Sequence, residues 1–177
     1  MKAVMISIHP KWVEKIANGE KTIEVRKTAP QEVPFKCYIY ETKGQYVKFT
    51  HGAHTKYGYG RGKVIGWFIC DKVDEYHYDY CDGVDIDDDT ILETAIDRED
   101  INIYAKGKPL YGWHISDLKI YDNPKELSEF SRPCSYSGLC FSCKRTSFKK
   151  DGNLLCNTKI TRPPQSWMRV EDLGEEE

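Results

Sequence analysis

Apolar residues run almost unbroken from Ala3 to Ile8, the pattern of a buried strand. His9-Pro10 ends the run, and Pro10 suits the first turn of a helix, where its missing N–H costs nothing. Trp12, Val13, Ile16 and Ala17 then recur at helical spacing and predict a helix over 11–18, with Gly19 as its stop. Thr22-Ile23-Glu24-Val25-Arg26 alternates polar and apolar, which predicts a half-buried strand. That reading turns Ile23 and Val25 to the core and places Thr22, Glu24 and Arg26 on the other face.

Pro30 and Pro34 mark a loop, and Phe35 to Tyr40 reads as a third strand. His51 to Gly62 holds four glycines and reads as an exposed, mobile loop. Lys63 to Cys70 is a strong strand continuing toward Val73, with Gly66 suggesting a bulge. The acidic stretch 82–89 precedes a helix whose Thr90 and Glu93 form a capping-box pattern. Capping and solubility account for this acid run, whose spacing is not that of an EF-hand. A short helix is expected over 98–105, one or two strands over 112–121, a turn or short helix from Pro124, and a last strand over 166–170. The sum is an α+β chain, a small mixed β-barrel with a few helices at its side, in which closure protects the strand edges.

At 177 residues and 20.5 kDa the chain reads as one domain over 1–173, with a Cys-rich insertion at about 131–162 and an acidic, disordered tail over 174–177. A mean hydropathy of −0.64, and no apolar run near the roughly 20 residues that span a bilayer, exclude a membrane partner and lead to a cytoplasmic expectation. The net charge of −2 hides segregation: residues 1–63 carry +7, residues 71–100 carry −11 and residues 131–162 carry +6. Two basic blocks on one face would attract a polyanion; the plainer reading is solvated surface. The acidic region 82–100 is also a candidate surface for a protein partner.

Lys21, Glu24 and Arg26 leave a helix end and enter a strand, so they can converge on one cleft. A Lys and an Arg can hold a phosphate or base carbonyl, and a carboxylate beside them can accept from an exocyclic amine such as cytosine N4. The plainer alternative is an ion pair on a solvated strand. In a catalytic version Lys21 is base or nucleophile and Glu24 shuttles a proton. Trp113 and His114 are candidates for a base-stacking platform, although strand alternation points them in opposite directions.

Seven cysteines in a reducing compartment favour thiols or metal over disulfides. Cys37 and Cys70 fall in apolar runs and read as core residues. Cys134, Cys140, Cys143 and Cys156 form C-x5-C-x2-C-x12-C, a set of four thiols that fits structural zinc. Free thiols and an iron–sulfur centre are the alternatives. No organic cofactor is expected, because no phosphate loop, dinucleotide fingerprint or nucleophile elbow is present.

The block Ser7-Ile8-His9-Pro10 through Gly19, Lys21, Glu24 and Arg26 resembles the ASCH domain, whose hallmark is a G-x-K-x-x-E-x-R run after the first helix. Gly112-Trp113-His114-Ile115 with Leu118 to Asp122, and Pro163 to Trp167, are similar to later segments of that family. The resemblance implies a PUA-like β-barrel that binds RNA or a modified nucleotide in a cleft between barrel and first helix, with Ser7, Lys21, Glu24, Arg26, Trp113 and His114 as binding candidates. It also implies an alternative, a small hydrolase acting on N4-acetylcytidine or on RNA. In that branch Lys21 matches the catalytic Lys, while Glu24 stands at the position of the catalytic Thr. A protein-interaction module is the third reading.

Overall fold

The computed structural model describes residues 1–51, 54–134, 146–148, 154–156 and 158–174. Strand β1 (Lys2–Ile8) lies second from the edge of a five-stranded sheet. It pairs parallel with β3 (Phe35–Glu41) and antiparallel with β14 (Trp167–Val170). Flanked on both sides and covered on both faces, it has an unbroken apolar sequence: Val4, Ile6 and Ile8 enter one core cluster, Ala3 and Met5 a second on the opposite face. Beyond β3 the sheet continues through β6 (Val64–Cys70) to β11 (Ser116–Lys125). Cys37 and Cys70 are buried in the first cluster, as expected of core thiols.

Helix α1 (Pro10–Ala17) follows β1 and buries Val13 and Ile16. Gly19, at a φ of 76°, turns the chain into β2 (Ile23–Arg26). β2 pairs with β10 (Leu110–His114), which pairs with β7 (Val73–Tyr76), making a second, three-stranded sheet. The two sheets share one bent ladder. The run β6–β7 is continuous across Asp71 and Lys72, the run β10–β11 across Ile115, and His114 N donates to Lys72 O at 3.1 Å where the bend falls. Trp167 Nε1 donates to Thr28 Oγ1 at 3.0 Å, joining β14 to the segment that follows β2 by side chains. The fold is mixed α+β and strand-rich, as expected.

Gly66 fulfils its expectation, since the β3–β6 register shifts between Ile39 and Tyr40, opposite it. A Cβ at Gly66 would lie 2.2 Å from the Lys119 carbonyl oxygen, so β11 can run this close only past a glycine. Helix α3 (Arg98–Ala105) falls where the periodicity placed it.

Three expectations are corrected. The glycine-rich segment is not wholly a loop: Gln45–His51 (β4) and His54–Tyr59 (β5) form an antiparallel hairpin packed on α1. Helix α2 (Asp88–Thr94) is capped by Asp87, whose carboxylate accepts from Thr90 N and Thr90 Oγ1 at 2.8 and 2.7 Å, rather than by a Thr90–Glu93 box. All four residues of β2 are buried, not half of them. Short strands β8 (Tyr78–Asp79) and β9 (Gly83–Val84) pair before α2, and a 3-10 turn spans Leu127–Glu129, where a turn or short helix was expected.

The two ends of the Cys-rich segment are held together at one place. Ser131 bridges Lys159, Arg132 N donates to Thr158 O at 2.8 Å, and Ile160 N donates to Phe130 O at 2.9 Å. Phe130 and Ile160 are buried in the second cluster just inside this clamp. Within the segment, β12 (Thr146–Phe148) pairs antiparallel with β13 (Leu154–Cys156).

Candidate functional site

The end of α1 aims the first charged side chain. Glu20 N and Lys21 N both donate to Lys15 O, at 2.9 and 3.1 Å, which closes the helix and directs Lys21 back into the protein. Thr22 N donates to Glu93 O at 2.9 Å, holding α2 against the start of β2. Lys21 is 1% exposed. Its Nζ donates to Ile23 O at 2.8 Å and to Thr94 O at 2.6 Å, and lies 3.3 Å from Glu24 Oε2. Burial holds this amine below the ordinary lysine range, against the opposing attraction of Glu24.

Glu24 Oε1 lies 2.9 Å from Arg26 Nη2, and that nitrogen also donates to Ser7 O at 2.7 Å. The three heads therefore form a line: ammonium, carboxylate, guanidinium. Arg26 Nε is buried without a partner, so the guanidinium is anchored through a single nitrogen. Each Glu24 oxygen is engaged by one cation and retains acceptor capacity.

The register shows what covers the charged face of β2, which alternation alone left open. Trp113 lies directly opposite Glu24 and Tyr111 opposite Arg26, so these side chains share a face. Trp113 belongs to the first core cluster, beside Phe35. Glu24 and Arg26 thus sit on the side of the main core. Val25 points the other way, into a third cluster with Ile101 and Ala105 of α3. Both faces of β2 are covered, and the charged face closes one end of the core.

That end opens into a cavity of about 550 Å³. Ser7, Glu24 and Arg26 form its polar floor; Trp12 of α1 and Ile101 and Tyr104 of α3 stand at its sides. His9, whose Nδ1 accepts from Lys11 N to cap α1, lines it as well, as do Asp100 and Lys106. The structure brings together Ser7, Lys21, Glu24 and Arg26, with Lys21 behind the floor and 5.5 Å from the Trp12 ring centre.

It does not bring Trp113 or His114 to the cavity. Trp113 is 0% exposed and packed edge-on between Phe35 and Trp167, a structural support beneath Glu24. His114 is on the opposite face, its Nε2 2.7 Å from Asp74 Oδ2. Trp12 and Tyr104 were missed as site residues. Trp12 was absorbed into the apolar face of α1, and nothing in the spacing of α3 shows that it faces α1 across a gap.

Of the four candidate zinc ligands, Cys134 is exposed with a free thiol, Cys156 lies in β13, and Cys140 and Cys143 lie outside the described residues. Among the described residues no cluster of three or more His, Cys, Asp or Glu side chains could hold a metal, and no helix is long and apolar enough to cross a membrane.

A family model described as the ASCH domain matches residues 6–170. The crystal structure of ASCH from Zymomonas mobilis is similar at a TM-score of 0.56 and 17% identity, covering 96% of this chain and 88% of that one. Structures of two single-substitution variants of the Zymomonas mobilis protein match at TM-scores of 0.55 and 0.54, with 17% and 16% identity, over 96% and 97% of this chain and 89% and 91% of theirs. At such identities the likeness is one of fold. No curated protein matches the sequence.

Proposed function

The chain belongs to the ASCH domain family, and from that premise we propose that the cavity between α1 and α3 binds a nucleobase, presented by RNA or by a modified nucleotide. The observation that carries this reading is the cavity floor: a buried carboxylate and guanidinium side by side, beneath an apolar chamber with aromatic rings from two helices. A volume of about 550 Å³ lies within the roughly 300–1,000 Å³ of small-ligand sites. Trp12 and Tyr104 offer faces for stacking. Glu24 accepts from an exocyclic amine and Arg26 donates to a neighbouring ring acceptor, the edge that cytosine presents. Lys21 supports this edge without touching the ligand. It holds Glu24 in place through the 3.3 Å contact with its Oε2.

A second reading is hydrolysis of an N4-acylated cytidine or of RNA, favoured by the depressed pKa of Lys21. Against it, the Lys21 ammonium already faces two carbonyls and a carboxylate, so little of it is available for attack.

Calorimetric titration with cytidine, N4-acetylcytidine and uridine tests the binding reading. A cytidine should bind more tightly than uridine, and Glu24→Gln or Arg26→Lys should weaken it about tenfold or more, the cost of one charge-assisted hydrogen bond. Equal, weak binding of all three, unchanged by either substitution, refutes it. Release of acetate from N4-acetylcytidine, lost in Lys21→Met, would move the assignment to the hydrolase.

A further inference from the structure

We propose that the ligand is single-stranded nucleic acid, its backbone running from the cavity across the groove between α1 and the β4–β5 hairpin. This rests on the nucleobase reading and extends it from one base to a strand. The groove has a volume of about 430 Å³ and is walled by Lys11 and Lys15 of α1 and by Tyr46, Val47, Lys48 and Lys56 of the hairpin. Glu14 neutralises Lys48 and accepts from Tyr46 Oη at 2.8 Å, which fastens the hairpin to the helix. Lys11, Lys15 and Lys56 are left in no ion pair among the described residues, although Glu20 also borders the groove. Folding thus gathers ammonium groups from sequence-distant parts of the basic block 1–63 into one channel.

Groove and cavity share a wall. The Lys11 and Lys15 ammonium groups lie 4.4 and 5.8 Å from the Trp12 ring centre, and the same ring lines the cavity. A nucleotide whose base rests against Trp12 has cations beside it for the adjoining phosphates. The far side repels them: α3 opens with Glu99 and Asp100, and residues 71–100 carry −11. Electrostatics therefore selects the α1 side as the path.

The hairpin supplies platforms for further bases. Val47 lies opposite Tyr57, and Tyr59 follows two residues on, so the three share a face. Tyr59 is 70% exposed and Tyr57 48%. Tyr57 and Tyr59 lie on the hairpin face turned away from Tyr46 and do not line the groove, so a strand reaches them by crossing the hairpin's edge. Such exposed rings suit unpaired bases, which stack without sequence preference, and do not suit a duplex, whose base faces are occupied.

The test is fluorescence anisotropy of labelled oligocytidylate of about ten nucleotides, titrated across salt concentrations with the full chain. It should bind more tightly than cytidine monophosphate and with a steep salt slope. Replacing Lys11, Lys15 and Lys56 together by Gln should lower that slope by about 2, at roughly 0.7 per phosphate contact on single strands. Cytidine binding in the cavity should not change. Tyr57→Ala with Tyr59→Ala should weaken oligomer binding at unchanged slope. An oligomer that binds no better than the monophosphate, a slope unaltered in the triple variant, or a duplex bound equally well overturns the proposal while leaving the cavity reading intact. Oligomer binding with the expected slope change but no nucleoside affinity supports the groove and removes the cavity reading; no binding of either removes both.

Discussion

Replacing Lys21 by Met tests whether the buried ammonium organises the site. Met has a similar length and suits an enclosed position, so no cavity follows. What is lost is electrostatic. Ile23 O and Thr94 O forfeit donors at 2.8 and 2.6 Å, and Glu24 keeps only Arg26. Two buried carbonyls left short cost about 1–3 kcal/mol each, and the desolvation that the ammonium suffers is recovered in part. The net expectation is a destabilisation of about 3–5 kcal/mol, read by urea denaturation at neutral pH. A pH series gives an independent check. Because burial lowers the folded pKa of Lys21 below the usual 10.5, the unfolded chain binds one proton more between those two values. Stability of the parent should therefore rise with pH across that window, and the gap to Lys21→Met should widen. A loss under about 1 kcal/mol with a flat difference across alkaline pH would show that the three contacts hold nothing together.

Two further outcomes follow from the fold and the thiols. Gly66→Ala should destabilise by about 2 kcal/mol or more, because its Cβ meets the Lys119 carbonyl oxygen and the Ile120 Cα and must displace strand β11; thermal melts followed by circular dichroism read it. If Cys134, Cys140, Cys143 and Cys156 hold zinc, protein purified without added metal should carry about one zinc per chain and Cys143→Ser should lose it; a negligible content in the parent refutes the tetrad.

Strands with both faces buried were the most legible part of the sequence, since β1, β3 and β6 show as apolar runs whatever covers them. The end of the first helix and the last strand were equally plain, marked by Gly19 and by Trp167 to Val170. The β4–β5 hairpin was hidden because its glycines serve close packing: Tyr46 lies across Gly58, and Gly60 passes Thr42 and Pro10. Long-range cover of that kind leaves no local pattern. Strand β2 was found, with Ile23 and Val25 buried as read, but its charged face was taken as uncovered, because alternation reports two unlike faces and does not say that both are inside. Here an ion pair closes the core while Val25 serves a satellite cluster beneath α3. The same unseen cover buries Trp113, a candidate for base stacking, in the first core cluster. The charged triad was legible from spacing and resemblance together, whereas the opposing wall from α3 depended on packing between elements more than eighty residues apart in sequence.

The bridge between Ser131 and Lys159 has a bearing on how such a chain can change over generations. A stretch whose two ends are joined at one paired neck can be lengthened, shortened or exchanged with little strain transmitted to the sheet, each doubling adding only about 0.6 kcal/mol of closure entropy. Diversification can therefore proceed there as a graft onto a paired stem that contributes no residue to the pocket between α1 and α3.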